Sequence, residues 1–452
     1  MEAKLYCGAA KENITPSPAL LPWMFGLMGR QYCKIRDELY LRVLAFRAGE
    51  QTAMIVVYDL DKATNPAEWV PMLAEATGVP VRNILYTAIH THTAPLTGYR
   101  PFEGPNFIER KPPEVQEKVR EYEAFLLEKL LAAGKTAMQN LAPARMGYAR
   151  GTCDIGGHRV VRYDVKQEDG SVQPSLSLGY NADGPADRTL LAMRIEQAET
   201  GAPIAFFTNY GVHCVAGFLN DCGDGKSFLS ADIAGEVSRA LEKEYPGSVA
   251  LWTSAPAGDI NPVNMVQTYH PDLQTGAPVE RCMKGEDAAD AIVTAMAGRQ
   301  LASIREALGR TICDIDAAEI KGAIDWARTC CARGGYGKEP PACDEDYEIR
   351  THLVQLGPLA LIGVDGELYT SHGQAMRAVS PVKDTFVINH ECSLLLNNPG
   401  YIIDDATISQ LLACEGRGSQ RGGIPGGAVY TAPGTVKKSL EESTKRLFEQ
   451  AR

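Results

Sequence analysis

Residues 88–95 read AIHTHTAP, with His90 and His92 two apart at the end of the apolar run NILYTAI. Only eight histidines serve the whole chain. On an extended strand, residues two apart share a face, so both rings point the same way, with Cα atoms roughly 6–7 Å apart. That is too wide for ideal ligation of one small ion by both without a local bend. It suits a metal ligand beside a neighbour that orients or polarises a bound group. A pair of structural histidines at a strand end is the competing explanation. His213, in FFTNYGVHCVAG, ends another apolar run, and Glu367 lies just past a third, in LALIGVDGELYT. Two histidines and a glutamate form a common catalytic zinc set, with an open position for water. Ligand sites in α/β proteins assemble at strand ends. The sequence does not by itself bring these three ends together.

The elements that must do so are strands alternating with helices, which predicts an α/β fold. We expect one large domain, with a mixed sheet flanked by helices and the metal site at strand ends. Strands are expected over 52–60, 83–89, 203–212, 248–255 and 384–390, with a hairpin or bent pair over 352–364. Helices are expected over 65–78, 114–141, 230–247, 289–308 and 434–451. In the second helix, Val115, Val119, Tyr122, Leu126 and Leu130 define a core face. The segments 151–187, 329–348 and 414–434 are rich in turn residues and are expected to be loops around the site. Asp232 opens a helix, where the default role is an N-cap. Asp59 and Asp61, in VVYDLDKA, have one-face spacing at a strand end. No two-metal site is proposed from them. The apolar segment 19–29, ALLPWMFGLMG, is expected to pack into the core or to form an apolar wall.

Lysine and arginine number 45 against 56 aspartates and glutamates, a formal net charge of -11. That argues against nucleic acid and anionic membranes as partners. The N-terminus offers no uncharged run long enough for a signal or a membrane span. Twelve cysteines show no regular framework and no CxxC pair. Reduced thiols, mostly small buried hydrophobes, in a cytoplasmic protein are therefore expected.

Four stretches, in order, give the chain a resemblance to the neutral ceramidase family in its broad bacterial form. AIHTHTAP is similar to that family's SHTHSGP, TNYGVHCVAG to its NYxxHP or VHGTSM segment, APAGDINP to its GDVSP or GDINP, and IGVDGELYT to its PGE turn. Weaker similarities are GAAKENITPSP, GGHRVVRYD and NNPGYIIDDA, so the resemblance runs from residue 8 to about residue 410. It implies a zinc ion held by His90, His213, Glu367 and Tyr401, with His92 facing the substrate. The implied activity is hydrolysis of an amide, or an ester, by zinc-bound water. His92 and Arg159 are then candidate donors to the developing oxyanion; Arg159 is also suited to a substrate carboxylate. Asp259 is a candidate base or a supporting acceptor, or a turn residue.

The chain departs from the family in three ways. Where the family has a serine thought to be nucleophilic, this chain has Asn261, and an amide cannot attack a carbonyl; Asn261 is instead expected to orient water or donate to substrate. Residue 452 leaves no room for the family's C-terminal immunoglobulin-like domain. No export signal is evident. These departures favour a small soluble polar substrate over ceramide, met by Arg159, Arg162, Arg417 and Arg421. The alternatives are a zinc lyase, isomerase or glycan-active enzyme on the same scaffold, and a non-catalytic protein that keeps the metal pocket. Oligomeric state stays open.

Overall fold

A computed structural model describes residues 3–97, 110–283, 285–332, 345–391, 400–417 and 430–452. Its main sheet is nine-stranded and mixed. Successive neighbours are Val249–Ser254, Pro203–Tyr210, Thr189–Gln197, Ala142–Thr152, Ala3–Asn13, Tyr40–Ala48, Gln51–Tyr58 and Ile84–Ala88, with the short Ala317–Ala318 beside Ala3–Asn13. The middle of this order is antiparallel. The two outer pairs are parallel: Pro203–Tyr210 with Val249–Ser254, and Gln51–Tyr58 with Ile84–Ala88. Parallel pairing directs both chains of each pair to the same end, so the loops that follow them emerge together.

A second, five-stranded sheet contains the antiparallel strands Ile320–Ala332, Glu345–Leu356 and Leu359–Val364, with Asp384–Ile388 parallel to the last of these. The expected hairpin over 352–364 is therefore present. Alternation along these strands gives each face its own partner. Leu361, Phe386 and Ile388 join the core of the main sheet, whereas Ala360, Ile362, Val364 and Val387 join a second cluster with Leu440 and Leu447. The last two belong to the helix Val436–Gln450. The second sheet thus lies between the first sheet and a helical layer. The carboxamide and backbone of Asn389 link the two sheets: its N–H donates to Ser254 O, its Oδ1 accepts from Leu368 N, and its carbonyl accepts from Thr87 Oγ1.

Helices fall at Pro66–Thr77, Pro113–Gln139, Asp232–Glu244 and Glu286–Gly309, close to the expected spans. Gly78 ends the first with a φ of 74°, a conformation that suits glycine. Val115, Val119, Tyr122, Leu126 and Leu130 are all buried, so the expected stripe is the packed face.

Several expectations need correction. Residues 151–187 are mostly sheet: Gly156–Lys166 and Val172–Asn181 form a hairpin, with Ile260–Pro262 added to its edge. Its turn residues mislead because glycine here serves close approach: a Cβ on Gly157 would lie 2.5 Å from the Tyr180 ring. Asp232 is no N-cap. It sits inside the first turn with φ at 51°, and its carboxylate accepts from the amides of Ala216, Gly217 and Ile233. It fixes the loop after His213 instead. Asp59 and Asp61, from which no joint site is proposed, take different partners. Asp59 pairs with buried Arg42 at 2.8 Å, while Asp61 turns to His90. Cys330 is disulfide-bonded, contrary to the expectation of uniformly reduced thiols. Most of 414–434, including Arg421, and part of 329–348 lie outside the described residues. Among the described residues no helix is long and apolar enough to cross a membrane.

Candidate metal centre

Six segments reach one place, each just past a strand: 59–62, 90–92, 211–214, 255–261, 365–369 and 389–391. Backbone pairing fixes how they meet. Thr91 bridges Cys214 in parallel, and His92 N donates to Cys214 O, so the two histidine motifs lie side by side. His213 N donates to Ile260 O. Glu367–Leu368 pairs in parallel with Tyr401–Ile402, with Glu367 opposite Tyr401. Gly258 N donates to Leu368 O and Arg159 N to Asp259 O, which ties these segments to the hairpin.

His90 is where the simple strand picture fails, and usefully so. The strand ends at Ala88, and His90 takes a left-handed φ of 60°. This bend replaces the wide spacing of an ideal strand. The Nε2 atoms of His90 and His92 approach to 3.2 Å, with the rings edge to face. The Glu367 Oε2 atom is 3.4 Å from His90 Nε2 and 3.3 Å from His213 Nε2. The Tyr401 hydroxyl is 3.4 Å from His213 Nε2. His90, His92 and His213 together form a group able to hold a metal ion. The structure therefore brings together all four residues singled out as ligands, and adds His92 as a further nitrogen at the same centre.

The donor set fits a cation. His213 Nδ1 faces the carbonyls of Ala257 at 2.7 Å and Ile260 at 3.1 Å. His90 Nδ1 faces Asp61 O at 3.0 Å and Asp61 Oδ1 at 3.2 Å. Carbonyl oxygens only accept, so each Nδ1 carries its proton, and a neutral ring then presents an Nε2 lone pair to the centre. Those lone pairs confront an ionised carboxylate. Burial opposes ionisation of Glu367, but His90, His213 and Lys62 outweigh it and hold the carboxyl well below its usual range. Burial, reinforced by Arg159, brings His213 down to about 4. Burial and the neighbouring His90 place His92 well below its usual value. For His90, burial is outweighed by Glu367 and Asp61, which raise its pKa. Lone pairs converging on one point need a positive charge between them, either a proton on His90 or a metal ion.

A cavity of about 540 Å³ opens beside the centre. His92, Arg159, Asn261 and Tyr401 form its reactive wall. Arg159 is buried; its Nε and Nη2 donate to Gly258 O, its Nη1 donates to Asn261 Oδ1 at 3.1 Å, and its guanidinium lies 5.1 Å from the centre of the Tyr401 ring. That leaves the Asn261 Nδ2 as the amide's donor. Leu27, Met28, Val215, Phe218 and Met265 supply an apolar wall, so part of segment 19–29 does serve the cavity, while Leu20, Leu21 and Met24 are core.

Asp259 is not on the cavity wall. Its Oδ1 accepts from Thr370 N and Oγ1, both at 2.9 Å, at the start of the helix Thr370–Val379. Burial pushes its carboxyl up to about 7, against the lowering effect of Thr370. Arg162 is exposed beside Asp164, and Arg417 is engaged by Pro174 O and Glu415. Neither lines the cavity, so of the described arginines expected to meet the substrate only Arg159 does.

Two participants, Lys62 and His390, escaped sequence reasoning, as did the role of Asp61, which stands out in the sequence only for its spacing from Asp59. Asp61 orients His90. Lys62 Nζ lies 4.0 Å from Glu367 Oε1. His390 stacks on His90 with centroids 3.9 Å apart, itself at a φ of 59°. The run DTFVINH ending in histidine repeats the pattern of NILYTAIH, and that signal could have flagged His390.

Neither a protein-family model nor the sequence of a curated protein matches the chain. Solved structures do. A neutral ceramidase from Pseudomonas aeruginosa superposes with a TM-score of 0.68 at 15% identity, over 99% of this chain and 75% of its own. A ceramidase complexed with C2 gives 0.68 at 14% identity, over 99% and 76%. The chain has the neutral ceramidase fold, as the four sequence motifs led us to expect.

Proposed function

We propose that the protein is a zinc-dependent hydrolase that cleaves an amide, or less readily an ester, of a small polar substrate, and that the chain forms a single catalytic unit. The observation that carries this is the convergence of His90, His213, Glu367 and Tyr401 on one point beside a cavity that Tyr401 lines. That cavity is of small-molecule size. Those four residues would hold the ion, and a bound zinc lowers the pKa of water and polarises a carbonyl. The likeness to ceramidases supports amide chemistry as the reaction class.

The chain's own groups then have distinct tasks. Asp61 keeps the His90 Nδ1 proton in place, and the Ala257 and Ile260 carbonyls do the same for His213. His92, neutral and on the cavity wall, is placed to take a proton from attacking water and return it to the leaving amine. Arg159 and the Asn261 Nδ2 supply donors for negative charge developing on the carbonyl oxygen. Asp259 is a positioning residue: it holds Thr370, and through its backbone it holds Arg159. Asn261 offers no nucleophile, so no acyl group is transferred to this position.

The test is amine release from short N-acyl amides by zinc-replete protein. Activity should vanish on chelation and return with zinc, and mass spectrometry should find no acyl adduct during turnover. Activity indifferent to chelation, or an acyl group trapped on a serine, would overturn this reading.

A further inference from the structure

One wall of the cavity remains unused by the reaction. It is a hairpin of Gln267–Pro271 and Pro278–Cys282, in which Tyr269 is paired with Glu280 and Gln267 with Cys282. Residues two apart on a strand share a face, so Gln267, Tyr269, Glu280 and Cys282 stand together. Gln267 Nε2 donates to the Tyr269 hydroxyl at 2.7 Å, and that hydroxyl lies 3.4 Å from Glu280 Oε2. The Cys282 thiol approaches Glu280 Oε1 at 3.3 Å. Burial and Glu280 raise both the phenol and the thiol, the latter to about 11, so both stay protonated at neutral pH. Each Glu280 oxygen thus has a neutral donor. Among the described residues no basic side chain pairs with this carboxylate. The nearby Arg30 is committed to Ser227 Oγ and Asn220 O. Glu280 therefore brings to the lining a carboxylate that no described basic side chain bonds directly, on the same cavity as the apolar residues Leu27, Met28, Val215, Phe218 and Met265.

Resting on the hydrolase reading, the geometry points to a cation-accepting subsite at Glu280: the substrate is an acyl amide carrying a protonated amino group apart from the scissile bond. Its acyl portion lies against Leu27, Val215, Phe218 and Met265. The ammonium meets Glu280 and the Tyr269 oxygen, with Gln267 fixing the phenol. Hydrolysis adds water across the C–N bond, giving a carboxylic acid and an amine, with the remote ammonium unchanged. Because the contact is the same before and during reaction, it acts on KM rather than on kcat.

The experiment compares butanoyl amides of 1,4-diaminobutane, 4-aminobutanol and pentylamine, in kinetics and in calorimetric binding to the zinc-replete protein. The ammonium compound should bind about fivefold more tightly than the pentyl amide, the scale of an exposed ion pair. The preference should shrink in 1 M salt. Glu280→Gln should erase it, leaving zinc content and pentyl amide handling unchanged. Equal or undetectable binding of all three, or a preference that survives Glu280→Gln, would overturn the subsite. Selective binding of the ammonium compound without cleavage of any amide would uphold the subsite and sink the hydrolase reading alone.

Discussion

Asp61 decides which nitrogen of His90 faces the centre, because both its carbonyl and its carboxylate lie beside Nδ1. Removing such a partner commonly lowers metal affinity by about 10–100-fold without removing a ligand. Asp61→Ala should show a loss of that order in a chelator competition, with zinc still bound at saturation; unchanged affinity would mean that the Asp61 backbone carbonyl suffices. Asp259 supports a second prediction. Its folded pKa of about 7 lies above the ordinary aspartate value, so the folded state holds a proton that the unfolded chain has lost. The stability from this group is present at low pH and declines as pH rises through about 7. Asp259→Asn should keep an acceptor for Thr370 and remove that loss. Melting temperatures measured from pH 5 to 8 should show the variant gaining on the parent as pH rises; a constant difference would remove Asp259 as the source.

Short backbone pairings, rather than long strands, hold the centre together. The two-residue ladder between Glu367–Leu368 and Tyr401–Ile402 is supported by Gly258, whose amide bonds Leu368 O. A Cβ at Gly258 would come within 2.5 Å of Glu367 O and 2.8 Å of the Tyr369 ring. Gly258→Ala should destabilise the fold by about 1–3 kcal/mol, as overpacking does. It should also weaken zinc binding, because the ladder that carries Glu367 must shift. Thermal unfolding and zinc titration on one sample would check both; unaltered affinity would show that the ladder yields without moving the carboxylate. At this scale the sequence was legible wherever a segment is apolar or amphipathic on its own. The helix Pro113–Gln139 and the strands Gln51–Tyr58 and Ile84–Ala88 lie where periodicity puts them. It failed for Gly156–Lys166 and Val172–Asn181, whose glycines and polar residues read as turns. Their strand character comes from pairing and close packing, which no local pattern encodes. The bend at His90 was likewise invisible, since left-handed φ at a histidine is imposed by its surroundings. Asp61 and Asp59 share a local pattern and differ only in which partner the fold delivers.

The whole molecule places its parallel pairs so that their C-terminal ends open onto one cavity, the placement common to open α/β sheets. The motif histidines and Glu367 were legible because each follows an apolar run; their convergence needed the two sheets and the Asn389 junction. The cavity also bears on what can react. Its walls are partly apolar and partly polar, which suits a compact molecule with both characters. The central claim is that these strand ends hold a zinc ion through His90 and His213, and elemental analysis of purified protein after zinc loading and dialysis tests it directly. The account predicts one zinc per chain in the parent and well under one in His90→Ala and in His213→Ala, each folded by circular dichroism. Full zinc in either variant, or none in the parent, would contradict it.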